Sequence, residues 1–163
     1  MIKTKIPVTW TEQDYRDLPW VINPIPEERF NATVDTTKYN VQAYMCSDET
    51  LLTKFYDAIQ TLPLQKKVVA VNKMVPGQVL PYHSDKYEAY KKRNNIADKD
   101  QNKITRYIIF LHDQKAGHQL WIEDDICIGP AGSVFGWRFG AQHMAANLGR
   151  VDRYVLQVTG IDV

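Results

Sequence analysis

Two residues near the middle of the chain, His83 and Asp85, can do chemistry together. A Pro76-Gly77 turn opens a short extended run, and the run ends in His-x-Asp. Side chains alternate faces along a strand, so the imidazole and the carboxylate are expected on the same side, close enough to share a metal ion. A third ligand has to come from His112, His118 or His143, the other histidines. His143 follows a glycine-containing loop at 139–142, near the end of a predicted strand. His112 and His118 bracket the turn at 113–117 and read as surface histidines. Two histidines and one aspartate form the facial arrangement that holds Fe(II) and leaves coordination positions open for oxygen chemistry. Arg153 comes ten residues after His143, at the start of the last predicted strand, and offers a planar fork to a carboxylate. Along that strand Arg153, Val155, Gln157 and Thr159 share one face, and Tyr154, Leu156 and Val158 the other.

The elements that must position these residues are mostly strands. Residues 1–38 hold Pro7, Pro24 and Pro26 and little periodicity, and read as an irregular arm pinned by Trp10, Tyr15 and Trp20. Residues 39–46 alternate as a strand. Ser47 reads as an N-cap, and Leu51, Leu52, Phe55, Tyr56, Ile59 and Leu62 recur at helical spacing until Pro63. Val68, Val69, Ala70 and Val71 mark a strand leading into the Pro-Gly turn. Residues 86–102 are polar. From Lys86 to Arg106 the chain has seven basic and three acidic residues, a balance of +4. This stretch is expected to be a polar loop or short helix, either a solvated surface segment or a lid over substrate. Strands are predicted at 103–111, 118–122, 125–128, 133–139 and 151–161, separated by Gly, Pro and Asp turns, the pattern of a sandwich or barrel.

At these residues the sequence resembles the Fe(II)- and 2-oxoglutarate-dependent oxygenases, in particular their prolyl-hydroxylase-like and aspartyl/asparaginyl-hydroxylase-like members. His-x-Asp and a distal histidine match His83, Asp85 and His143, and the basic residue about ten positions later matches Arg153. The strand at 106–111, Gly117-His118-Gln119-Leu120 where many members have Gly-Gly-x-Leu, and Gly132-Ser133-Val134-Phe135 resemble the same members. The resemblance implies a mainly β fold, a double-stranded β-helix or jelly roll, with supporting N-terminal helices. It implies a single domain over 1–163, with an arm and helix at 1–66 and a catalytic core at 67–161. It also implies Fe(II) on His83, Asp85 and His143, 2-oxoglutarate as cosubstrate with its far carboxylate on Arg153, and ascorbate as a reductant. Arg106 is a candidate for a carboxylate of cosubstrate or substrate, or for a structural ion pair. Tyr82, Trp121 and Trp137 are candidate pocket walls, and Asn147 either orients near iron or forms a turn. The departures are His118 for the second glycine, Val155 where many members have Ser or Thr, and Thr159 where nucleic-acid demethylases of this fold carry a second Arg. The His-x-His of cupin-type isomerases is absent.

Composition narrows the partners. The chain has 163 residues, 44% hydrophobic and 24% charged, which suits one soluble domain with a real core. A net charge of +1 selects neither nucleic acid nor a membrane surface. No apolar run approaches a membrane helix and no secretory signal is visible, so a cytoplasmic setting is expected, with Cys46 and Cys127 as reduced thiols. The expected activity is hydroxylation of a peptidyl side chain or a small metabolite. The alternative is a non-catalytic jelly-roll module that binds or scaffolds.

Overall fold

The computed structural model describes residues 1–23, 35 and 38–163. In chain order the elements are β1 (Ile2–Lys5), α1 (Gln13–Arg16), β2 (Val21–Asn23), β3 (Ala43–Cys46), α2 (Tyr56–Gln60), β4 (Leu64–Met74), β5 (Val79–His83), α3 (Glu88–Asn94), β6 (Ile104–Phe110), β7 (His118–Ile122), β8 (Asp125–Ile126), β9 (Ser133–Arg138), β10 (His143–Asn147) and β11 (Arg153–Asp162). They form two sheets, β1-β9-β6-β11-β4-β3-β2 and β5-β10-β7-β8. Every strand pairing is antiparallel. From β4 onward the strands alternate between the sheets except at the β7–β8 hairpin, which stays within the small one, and the fold is a double-stranded β-helix. Pro24, Pro26 and most of 24–37 lie outside the described residues. None of the described helices is long and apolar enough to cross a membrane.

Strand alternation divides the core. On β11, Tyr154, Leu156 and Val158 join Val69, Val71, Tyr107 and Ile109 on the outer face of the large sheet. The N-terminal arm and α2 cover that face with Trp10, Tyr15, Leu52, Phe55 and Ile59. Trp10 is pinned by its indole N–H, which donates to the Leu111 carbonyl at 2.8 Å. Val155 faces the other way, into the space between the sheets, with Ile108, Phe110, Leu120, Ile122, Phe135 and Trp137. Burying each such side chain stabilises the fold by roughly 1.5–3 kcal/mol.

The segment from Ser47 to Pro63 differs from the sequence expectation. The helix expected from Ser47 is a single 3-10 turn at Thr53–Phe55 followed by the five-residue α2. Asp48, not Ser47, organises the entry, because its Oδ1 accepts from both the backbone N–H and the hydroxyl of Thr50 and closes a local turn that competes with helix. The polar stretch 86–102 takes the short-helix form of the two expected for it. It carries α3 and is tied to the body by Tyr90, whose hydroxyl donates to the Lys66 carbonyl, and by Lys66, whose ammonium donates to the Asn94 carbonyl. Tyr87 and Tyr90 are buried with Ile104 in a small cluster of their own. β10 is a strand at 143–147, a stretch to which the sequence pattern assigns no element.

Two glycines set turns that matter to the site. Gly77, at φ +89, is the third residue of the Pro-Gly turn, with Gln78 N–H donating to Val75 O at 3.2 Å. Gly117, at φ +87, presses against the β10–β11 turn, and a Cβ there would sit 2.3 Å from Gly149 N. Around Gly77 no atom lies within 4 Å of that position. Gly77→Ala is therefore expected to lose only the backbone term, about 1 kcal/mol, whereas Gly117→Ala adds a backbone clash and is expected to lose well over 2 kcal/mol. Urea unfolding of the two variants against wild type checks the order.

Candidate metal centre

His83 ends β5 and His143 begins β10, and the two are direct cross-strand partners. That pairing depends on an irregularity. Ala145 pairs with Leu80, so three steps on β5 match two on β10, and the extra residue falls at Pro81-Tyr82. Proline at a bulge is expected, since it has no N–H for the ladder. The bulge also brings the Pro81 carbonyl to 2.7 Å from His83 Nδ1. The Ala141 carbonyl lies 3.0 Å from His143 Nδ1. A carbonyl only accepts, so both Nδ1 atoms carry the proton and both Nε2 atoms are turned toward Asp85.

Asp85 lies beyond the strand, so alternation does not place it. Arg106 does, from β6 across the site. Its Nη1 donates to Asp85 Oδ2 at 2.5 Å, and its Nε donates to the Thr159 hydroxyl at 3.0 Å. Asp85 Oδ2 is also 3.3 Å from His143 Nε2, and Oδ1 is 3.9 Å from His83 Nε2. One donor atom from each of His83, Asp85 and His143 lies within 4.8 Å of the others, and all three residues are buried. Burial alone would raise the Asp85 carboxyl. The Arg106 guanidinium and the two imidazoles outweigh it and hold the group well below the usual carboxylate range. Two nitrogens and one carboxylate oxygen, each held by a neighbour, suit a divalent first-row ion such as Fe(II).

Around this group, Trp137 packs on the His143 ring with centroids 4.3 Å apart, so this pocket-wall candidate lies at the site. Tyr82 and Trp121 do not. Tyr82 is exposed on the bulge and donates to the Glu123 carbonyl. Trp121 alternates outward and donates to Gln119 Oε1. Arg106 forms the structural ion pair with Asp85, one of the two expected roles. Its guanidinium also lies over the Tyr87 ring, 4.7 Å from the centroid. The sequence reading did not single out Tyr87. It takes a left-handed backbone, φ 54, which no local pattern announces.

Arg153 is the buried guanidinium that strand alternation predicts. Among the described residues its Nη1 reaches only the Met74 sulfur, at 3.7 Å, and its Nη2 has no hydrogen-bond partner. Neither Asp152 nor Asp85 meets it. Burial pushes its pKa down to about 10. The cavity beside it, lined by Phe110, His112, Gln114, His118 and Val155, has room for about one water. Asn147 takes the turn-forming role: its amide N–H groups donate to the Met74 and Val151 carbonyls, and its Oδ1 accepts from Gly149 N–H.

His118 is buried and His112 half-buried, which corrects their reading as surface histidines. Backbone groups explain it. Lys115 N–H donates to His118 Nδ1, whose Nε2–H donates to the Val151 carbonyl. Tyr154 N–H donates to His112 Nε2, whose Nδ1–H donates to the Asp113 carbonyl.

No family model matches the chain, and no curated protein matches it. Among solved structures it is similar to a predicted oxalate decarboxylase from Thermotoga maritima, 17% identical with a TM-score of 0.46 over 76% of this chain and 88% of that one. A protein with a double-stranded β-helix domain from Klebsiella pneumoniae is 16% identical, TM-score 0.41, over 63% and 73%. A cupin protein from Bacteroides fragilis is 14% identical, TM-score 0.42, over 63% and 71%. At these identities the likeness concerns the fold alone.

The buried His118 and the half-buried His112 give the pH prediction. Burial, first among the causes, lowers both pKa values from the ordinary 6.5. The unfolded chain then binds protons at a higher pH than the folded one, so the stability they contribute is complete above about pH 6.5 and is lost as pH falls through their lower folded values. Denaturation midpoints are expected to fall from pH 7 to pH 5, and His118→Gln is expected to flatten that slope.

Proposed function

We infer that this chain is an Fe(II)- and 2-oxoglutarate-dependent dioxygenase that hydroxylates a peptidyl side chain or a small metabolite. The observation that carries the reading is Arg153: a buried guanidinium that no carboxylate meets among the described residues, on the inter-sheet face of a barrel that also brings His83, Asp85 and His143 together. A buried unpaired cation is costly, and an incoming dicarboxylate would offset that cost.

Bound Fe(II) would supply oxygen activation at the positions that the three side chains leave open. The chain's own residues do the rest. His83 and His143 present Nε2, each oriented by a backbone carbonyl on Nδ1. Arg106 occupies Asp85 Oδ2, which directs the carboxylate and leaves Oδ1 toward His83. Arg153 holds the far carboxylate of 2-oxoglutarate as a bidentate pair. Phe135, Ile122 and Trp137 exclude water around the reacting atoms.

A second reading is favoured by two observations. Asp85 already has a cationic partner, and the cavity beside Arg153 is small. On that reading the chain is a non-catalytic barrel and Asp85–Arg106 is a structural pair.

Metal and cosubstrate titrations separate the two. With Co(II) at about 100 times its dissociation constant, the oxygenase reading expects about 2.7 kcal/mol of added stability, and His143→Ala abolishes it. Calorimetric titration of 2-oxoglutarate into metal-loaded protein is expected to give binding that Arg153→Ala weakens roughly 30- to 1,000-fold, with metal affinity retained. Succinate release from 2-oxoglutarate with Fe(II) and ascorbate completes the test. Absence of both metal and 2-oxoglutarate binding leaves the non-catalytic barrel.

A further inference from the structure

Arg153 carries a positive charge into the interior, and no acid among the described residues meets it. The residue is 5% exposed, and its Nη2 has no partner there. Asp152, its neighbour in sequence, accepts from the Tyr154 hydroxyl instead. Asp85 is paired with Arg106. Besides burial, the group that bears on the Arg153 charge is the Cys127 thiol, and burial pushes that thiol up to about 12, so it stays neutral. A buried cation in these surroundings calls for an anion.

The cavity that Arg153 lines, with Phe110, His112, Gln114, His118 and Val155, selects the kind of anion. It has room for about one water. A carboxylate, with its three heavy atoms, enters only if the walls move, whereas a monoatomic ion fits the cavity as it stands. A neutral water is poorly served there, because it needs acceptors for its own protons and the side-chain acceptors are taken. His118 Nδ1 accepts from Lys115 N–H, and its Nε2–H donates to the Val151 carbonyl. His112 Nε2 accepts from Tyr154 N–H, and its Nδ1–H donates to the Asp113 carbonyl. Gln114 Oε1 accepts from Gly129 N–H. Phe110 and Val155 offer no polar side-chain atom. An unused charged donor without a spare acceptor suits an atom that only accepts. We propose that this cavity is a resident site for a monoatomic anion, chloride in ordinary salt, which neutralises Arg153 when no carboxylate is bound. The site does not depend on the oxygenase reading. Where that reading holds, chloride and the far carboxylate of 2-oxoglutarate compete for one guanidinium.

Bromide reads the site directly. Crystals of the metal-free full chain grown in sodium bromide, without 2-oxoglutarate, are expected to show bromine in this cavity, within hydrogen-bonding distance of Arg153, by anomalous scattering across the bromine absorption edge. In solution, sodium chloride is expected to raise the thermal midpoint of the metal-free protein along a saturating curve. Sodium gluconate at the same ionic strength, whose anion is too large for the cavity, is expected not to. Arg153→Met is expected to erase the difference between the salts. With chloride at roughly one to ten times the dissociation constant from that curve, 2-oxoglutarate is expected to bind Zn(II)-loaded protein roughly 2- to 10-fold more weakly than in gluconate. A cavity without bromine overturns the proposal. So does a midpoint that rises linearly with chloride, or equally in gluconate, since the bromine then marks an adventitious ion only. If 2-oxoglutarate binds in neither salt while the bromine is present, the oxygenase reading fails and the anion site stands. If 2-oxoglutarate binds and the cavity holds no bromine, the oxygenase reading stands and the anion site fails.

Discussion

The buried ion pair between Arg106 and Asp85 is the constraint around which the interior is arranged. Taking both charges out of water costs several kcal/mol each, and their mutual attraction offsets this only with good geometry and further hydrogen bonds. The chain supplies both. Thr159 on β11 accepts from Arg106 Nε, and the Tyr87 ring lies against the guanidinium. One salt bridge therefore couples β6, β11 and the segment after β5. Asp85 has no ladder to hold it, so its position is an electrostatic result and not a consequence of strand pairing.

The two faces of the large sheet have separate tasks. The outer face is apolar and covered by the arm and α2, which lets the inner face carry groups that would be intolerable in an ordinary core. On β11 the inner positions include Arg153 and Thr159, and the outer ones Tyr154, Leu156 and Val158. At the far end of the barrel Asn147 bonds across to Met74 and Val151, and Gly117 lets the neighbouring turn close on Gly149. At that end the polar atoms of Asn147 are satisfied by backbone, while Arg153 Nη2 beside Met74 is not.

Much of this was legible from residue types. His-x-Asp after the Pro-Gly turn and the distal histidine are readable as residue types at a spacing, and the alternation around Arg153 follows from strand period. So do the strands whose β-branched or aromatic residues are dense, β6 and β9 above all. Other features depend on contacts that spacing does not encode. In β10 the run Met144-Ala145-Ala146 has no β-branched residue, so pairing with β5 and β7 on both sides makes the strand, not propensity. The periodic apolar residues from Leu51 to Leu62 suggested a longer helix, but a local Asp48 turn took its first residues. Tyr82 and Trp121 looked like pocket walls by proximity in sequence and face away because of parity. Tyr87 and the burial of His118 leave no local pattern at all, since both are decided by partners far along the chain.

The bulge at Pro81-Tyr82 bears on any attempt to improve this protein by regularising it. A perfect ladder counted from Leu80 and Ala145 would set Tyr82 opposite His143 and turn His83 out to solvent. A stabilising redesign that replaced the proline and straightened the strand would preserve every residue of the His-x-Asp motif and still dismantle the centre. The motif is readable in the letters, but its geometry is held by one surplus residue, and it is that irregularity which an engineer would have to leave alone.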